Sequence, residues 1–219
     1  MVYGTAKNIV RSTIGDRTLN NTLMTFFLEQ GLREIETRGN YYWMVSEKFF
    51  NLEVGRTAYN LTSSSDLAIT NFKEARYLLA KAPGANRWMP VKIKGLEEII
   101  GMYATNTSGE PKHAAIDNET LYIYPNADKA YNVQFGFFQW TSMPSTGNTG
   151  TNEVLTRWPQ AAIWAATMHG ILYKTKDATA AKPFAELLEG ELRKLDEYSA
   201  NRIRLPDIDR ARGQAPAPQ

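Results

Sequence analysis

Cysteine is absent from the 219 residues, and histidine occurs only twice. Without a thiol there are no disulfides, no thiolate nucleophile and no Cys-based zinc site. His113 and His169 belong to neither a His-x-x-x-His nor a His-Glu-x-x-His arrangement, so the spacing that brings metal ligands together is missing as well. Gly-x-Gly-x-x-Gly, Walker and Gly-x-Ser-x-Gly patterns do not occur, and the 15 glycines are scattered among turns and helix ends. Phosphate cradles and acyl-transfer elbows therefore lack their backbone. Glu97 and Glu98 are adjacent acids, but neighbours on a helix diverge by about 100°, and the pair reads as a solvated helix start. No catalytic, metal or cofactor-binding residue is assigned, and the expectation is a protein that is not an enzyme.

An excess of charge is also lacking. Lysine and arginine number 25 against 23 acids, too even a balance for general attraction to nucleic acid or anionic membrane. The uncharged stretch from Trp158 to Tyr173 falls short of the ~20 apolar residues of a bilayer span and reads as a buried helix. The first twenty residues mix Lys7, Arg11, Asp16 and Arg17 with polar side chains. They have no apolar core of a leader, so cytoplasmic synthesis without a signal peptide is expected. The sequons at Asn20, Asn60, Asn106 and Asn118 then read as coincidental.

What is present is an ordinary globular composition, 43% hydrophobic and 22% charged. The pattern predicts an α+β fold: a helical bundle formed by N- and C-terminal helices (5–38 and 153–200) around an inserted antiparallel β-rich region (44–140). Residues 1–200 are read as a single domain and 201–219 as an extended C-terminal arm.

A weak helix over 5–14 is followed by a strong one over 18–38, closed by Gly39. In the second, Leu19, Leu23, Phe26 and Phe27 form one apolar stripe and Met24, Leu28, Leu32 and Ile35 another. Glu29, Arg33 and Glu36 remain as a charged strip, with Glu29 and Arg33 in the favourable i,i+4 order. Tyr41, Tyr42 and Trp43 lead into strands near 48–54, 57–61, 73–80 and 88–93, and 96–103 is a short helix. From 112 to 138, Asp117-Asn118 marks a hairpin turn and alternating Leu121, Ile123, Tyr131, Val133, Phe135 and Phe137 predict an antiparallel meander. A Gly/Ser/Thr/Asn-rich loop over 141–151 ends the β region. The last helices are an Ala-rich, apolar one, and one with Pro183 near its first turn that aligns Phe184, Leu187, Leu188, Leu192 and Leu195. Beyond Ser199 the arm carries Arg202, Arg204, Arg210 and Arg212, with three prolines and no core-forming residues.

Three segments resemble the head-to-tail adaptor (connector or neck) proteins of tailed bacteriophages: Ile14-Gly-Asp-Arg through Phe26-Phe-Leu-Glu-Gln-Gly-Leu-Arg-Glu-Ile to Tyr42-Trp43; Pro111-Lys-His-Ala-Ala-Ile-Asp through Leu121-Tyr-Ile-Tyr-Pro to Tyr131-Asn-Val-Gln-Phe; and Asn152-Glu-Val-Leu-Thr-Arg-Trp-Pro159 with the helices after it. The resemblance implies a structural virion protein that forms a ring, commonly twelve-fold, beneath the portal and receives downstream tail or nozzle proteins, with DNA passing through. It implies portal contact by Arg202, Arg204, Arg210 and Arg212, and contact with neighbouring copies by the Gly/Ser-rich loop 142–151 or the sheet; the two-sided helix 18–38, with Glu29, Arg33 and Glu36, offers a further surface for the heterologous contact a ring needs. No cofactor and no membrane partner is implied. Two other readings stand beside it. The five tryptophans and eleven tyrosines suit a glycan-binding or wall-degrading virion module, and the basic arm suits a DNA-contacting tail component.

Overall fold

The computed structural model describes residues 1–16, 18–103, 107–144 and 148–202. The chain is mixed α+β, as expected, and divides into two compact units: Met1–Met44 together with the described chain from residue 140 onward, and 45–139.

The first unit is helical. It contains α1 (Tyr3–Ile14), α2 (Asn21–Arg38), a 3-10 turn at Tyr42–Met44, α4 (Glu153–Arg157), α5 (Pro159–Thr175) and α6 (Ala178–Ala200), with α3 (Leu96–Met102) lying in the other unit. α5 packs against α1, α2, α4 and α6. Its Ala161, Ala162, Ala165 and Ala166 are buried, and these short side chains let α2 come close: a Cβ on Gly31 would lie 2.7 Å from the Ala166 amide nitrogen. α2 starts later than its apolar pattern suggests, because the Asn20 side chain accepts a 2.9 Å hydrogen bond from the Leu23 amide and caps the helix. Gly39 ends it in extended backbone, without a left-handed cap. α2 buries Met24, Phe27, Leu28, Leu32 and Ile35, whereas Phe26, assigned to a second apolar stripe, is 48% exposed. α6 begins at Ala178, capped by Asp177, so Pro183 sits inside the helix and not in its first turn.

Two amides at the start of α1 are satisfied by the Gly/Ser-rich loop. Tyr3 N donates to the Gly150 carbonyl and Gly4 N to the Asn148 carbonyl, both at 2.8 Å. Val2 offers no side-chain cap, so carbonyls distant in sequence take over that task. The absent side chain of Gly4 permits the approach, since a Cβ there would lie 2.5 Å from the Asn148 Cβ.

The second unit is a β structure. A seven-stranded sheet runs β1-β9-β3-β4-β6-β7-β2, where β1 is Val45–Asn51, β2 Ala58–Asn60, β3 Phe72–Lys81, β4 Met89–Ile93, β6 His113–Asp117, β7 Thr120–Tyr124 and β9 Asn132–Gln139. β5 (Ser108–Gly109) pairs with β8 (Asn126–Ala127) separately. The edge strands β1 and β2 are consecutive in the chain. Seven residue steps from Asn51 to Ala58 reach at most about 25 Å, whereas six strand spacings in a flat sheet span roughly 29 Å. The sheet must therefore curl, and the Phe50 and Tyr59 rings, one from each edge, meet at 5.5 Å. Leu52, Tyr59, Leu61, Leu78, Val91, Leu121, Ile123, Val133 and Phe135 fill its core.

Two expectations are corrected here. The 112–138 stretch is not a meander: β6 and β7 form a hairpin, but β9 leaves β7 and inserts antiparallel between β1 and β3. β9 is buried along Val133, Phe135, Gly136, Phe137 and Phe138, and a strand apolar on both faces belongs in the interior of a sheet. One pair, β4 with β6, is parallel. The turn of the hairpin is Asn118-Glu119, both at positive φ (44° and 59°), with Asp117 paired to Thr120. That is the signature of a two-residue primed turn, one position later than expected.

Candidate interaction surface

The strip read from α2 separates into an enclosed acid and an open face. Glu36 is fully buried. Its carboxylate accepts from Arg33 Nη1 at 3.1 Å, from Trp43 Nε1 at 3.2 Å and from the Thr141 amide at 3.2 Å. Burial raises its pKa, against the opposing pull of these donors and of Arg33. Glu36 thus ties α2 to the aromatic exit and to the chain entering from residue 140; it is not part of an exposed strip. Arg33 turns to Glu36 instead of Glu29, and its guanidinium lies 5.2 Å from the Trp140 ring. Glu29 and Arg33 border a cavity of about 150 Å³ with Gln30, Leu32, Thr141 and Met143. With exposed Phe26 they fall at i, i+3 and i+7, which puts an aromatic, an acid and a base on one line of α2.

At the end of α6 the chain builds an aromatic platform. The rings of Tyr42 and Tyr198 meet at 5.4 Å, Tyr198 and Trp158 at 5.5 Å, Tyr42 and Trp43 at 5.3 Å, and Trp43 stacks on Tyr41 at 4.7 Å. Polar contacts fix it in place. Tyr42 N donates to Ser199 Oγ at 2.9 Å, and Tyr42 Oη donates to Glu153 Oε1 at 3.0 Å, where Arg157 Nε also binds at 2.6 Å. Burial, then Glu153, raises the Tyr42 pKa. Arg202 lies over this platform, its guanidinium 4.7 Å from the Tyr198 ring and 5.3 Å from the Tyr42 ring. Such contacts hold a guanidinium without neutralising it. Arg204, Arg210 and Arg212 lie outside the described residues.

The sequence marked Tyr41, Tyr42 and Trp43 only as a helix exit; their partners Trp158 and Tyr198 stand more than a hundred positions away and carry no local signal. Of the side chains considered for catalysis, His113 and Glu98 are neighbours in the β unit, and His169 lies on α5 of the helical unit. Burial lowers the pKa of both histidines, with Lys94 and Lys92 adding to the effect at His113. His113 Nδ1 is 2.7 Å from Tyr103 Oη. Glu98 pairs with Lys94, and exposed Glu97 lies apart from it. Among the described residues no group of three His, Asp or Glu side chains is placed to hold a metal. No helix there is long and apolar enough to cross a membrane.

A family model described as "SU10 adaptor protein" matches residues 1–214, nearly the whole chain. No curated protein matches it.

Proposed function

The chain belongs to the SU10 adaptor protein family, a family of phage head-to-tail adaptors, and from this premise we propose that it is a structural virion protein that forms a ring beneath the portal and links the capsid vertex to the tail. The observation that carries the reading is the match over 1–214, which spans both compact units and so concerns the whole protomer. The role requires binding surfaces and no reaction.

In this reading the platform of Tyr42, Trp158 and Tyr198 anchors the root of the arm through Arg202, and Arg202, Arg204, Arg210 and Arg212 bind the portal. Stacking leaves the Arg202 charge intact for an acidic surface. Neighbouring copies, twelve in a closed ring, meet through the exposed line Phe26, Glu29 and Arg33. A ring needs a heterologous contact, and a stripe of mixed character matched to a different surface on the next copy supplies one. Downstream tail or nozzle proteins bind the completed ring, and DNA passes through it.

Native mass measurement of the purified chain, alone and with portal rings, tests the proposal. Portal-bound rings are expected, and replacing the four arginines by alanine should weaken portal binding at least tenfold while leaving thermal stability within a few degrees. A chain that stays monomeric and ignores portal would overturn the assignment.

A further inference from the structure

Where α5 packs on the start of α6, the two helices leave an apolar groove of about 550 Å³. Met168 and Leu172 line it from α5, and Ala178, Ala181 and Ala185 from α6. The alanines are too short to cover the longer side chains, so Met168 and Leu172 stay half-buried. Among the described residues of the lining, Lys182 is the one that carries a charge.

The other side of the same helical unit carries a matching feature. Ala166 of α5 meets Gly31 of α2. At about 100° per residue, Met168 stands about 160° round α5 from Ala166, on the far side from α2. The same count sets Phe26 about 140° round α2 from Gly31, directed away from α5. Phe26 is 48% exposed and is backed by the buried Phe27 ring at 5.9 Å. An apolar knob and an apolar groove thus point in opposite directions, and a protomer cannot fill its own groove. An exposed aromatic set on a firm base, seated in an apolar pocket, is the kind of anchor that carries the affinity of an interface.

Charge supports the same pairing. Glu29 is exposed and stands about one turn along α2 from Phe26. Lys182 is open as well: it and Glu186, 3.9 Å apart, are 72% and 70% exposed, and such a pair is worth little in water. Phe26 placed in the groove brings its neighbouring acid to the rim where the cation stands. A two-fold contact of α2 with α2 leaves both grooves open, whereas a repeated head-to-tail contact fills every one.

We propose that the α5–α6 groove receives Phe26 of the next copy of this chain, with Glu29 of that copy beside Lys182. The inference rests on the ring reading above, to which it adds the receiving surface.

The test is sedimentation velocity of the full chain over a concentration series, alone and with portal rings. Phe26→Ala should weaken self-association about tenfold or more. Glu29→Lys and Lys182→Glu should each weaken it several-fold, and the double variant should regain most of the loss, because the exchanged charges face each other again. Phe26→Asp lacks the knob and Ala185→Trp fills the groove; each alone should stay monomeric, and their mixture should form heterodimers that grow no further. Should Ala185→Trp fail to fold, the charge exchange decides the matter, since both of its positions are exposed. Rings of wild-type affinity in Phe26→Ala and in both charge variants would overturn this contact and leave the ring reading standing. A wild-type chain that forms no ring, alone or on portal, would overturn both.

Discussion

Gly31 of α2 lies so close to Ala166 of α5 that a Cβ at position 31 would fall 2.7 Å from the Ala166 amide nitrogen. The obstacle is backbone, which cannot swing aside as a side chain can. In an isolated helix Gly→Ala is favourable by about 1 kcal/mol. Gly31→Ala should nevertheless destabilise the protein by about 1–3 kcal/mol, because the two helices must separate. Chemical denaturation of the full chain reads the sign directly. A stabilised variant would mean that the helices do not approach this closely.

Glu36 makes stability depend on pH in an unusual direction. Its folded pKa is raised above the ordinary 4.5 by burial, so the folded state holds the proton more tightly than the unfolded state. This contribution is fully present below the unfolded value and is lost as pH rises through the raised one. Melting temperature measured from pH 4 to 7 should fall less with rising pH in Glu36→Gln than in the wild type. Equal slopes would show that Glu36 is not desolvated.

Asp66 works in the opposite sense. It receives Arg56 Nη2 at 2.6 Å and the Asn60 amide at 2.8 Å, and its pKa is lowered by these hydrogen bonds, that to Arg56 first. Its contribution is present above the unfolded value, near 3.8, and disappears as pH falls through the depressed folded one. Asp66→Asn should lower the melting temperature at pH 7, and the difference from wild type should shrink toward pH 3. A gap that stays constant between the two pH values would remove the ionised side chain from the explanation.

Glu119 occupies the second position of the β6–β7 turn at φ 59°. A side chain there strains the backbone, and glycine does not. Glu119→Gly should stabilise the protein by about 0.5–1 kcal/mol, the reverse of the usual cost of introducing glycine. Urea midpoints of the two proteins check it, and a destabilised variant would place the turn in another conformation.

Local patterns wrote most of the elements into the sequence. Apolar spacing located α2, α5 and α6, and alternation located β7 and β9, because both signals are set by which side of a single segment is wet. Partnership was not legible. The alternation of Val133, Phe135 and Phe137 announces one apolar face of β9 but neither the burial of Gly136 and Phe138 on the other nor that β1 and β3 lie on either side, since pairing depends on strands far apart in the chain. The same limit explains Glu36. Nothing within a turn of it distinguishes it from Glu29, and its burial is decided by Trp43 and by Thr141, the latter more than a hundred residues away. The turn residues differed by one position because Asp117, Asn118 and Glu119 all tolerate a tight bend, and register is set by the Asp117–Thr120 pairing.

The central place of β9 also governs the order in which the protein is made. β1 and β3 join only through residues 132–139, and α2 awaits α5, whose sequence begins at Pro159. During synthesis β3, β4, β6, β7 and β2 can pair before residue 132 emerges, whereas β1 and α2 wait with their apolar faces unmatched until β9 and then α5 arrive. Nascent chains halted before residue 132 should engage holding chaperones, and release from them should coincide with the arrival of β9 and then α5 outside the ribosome.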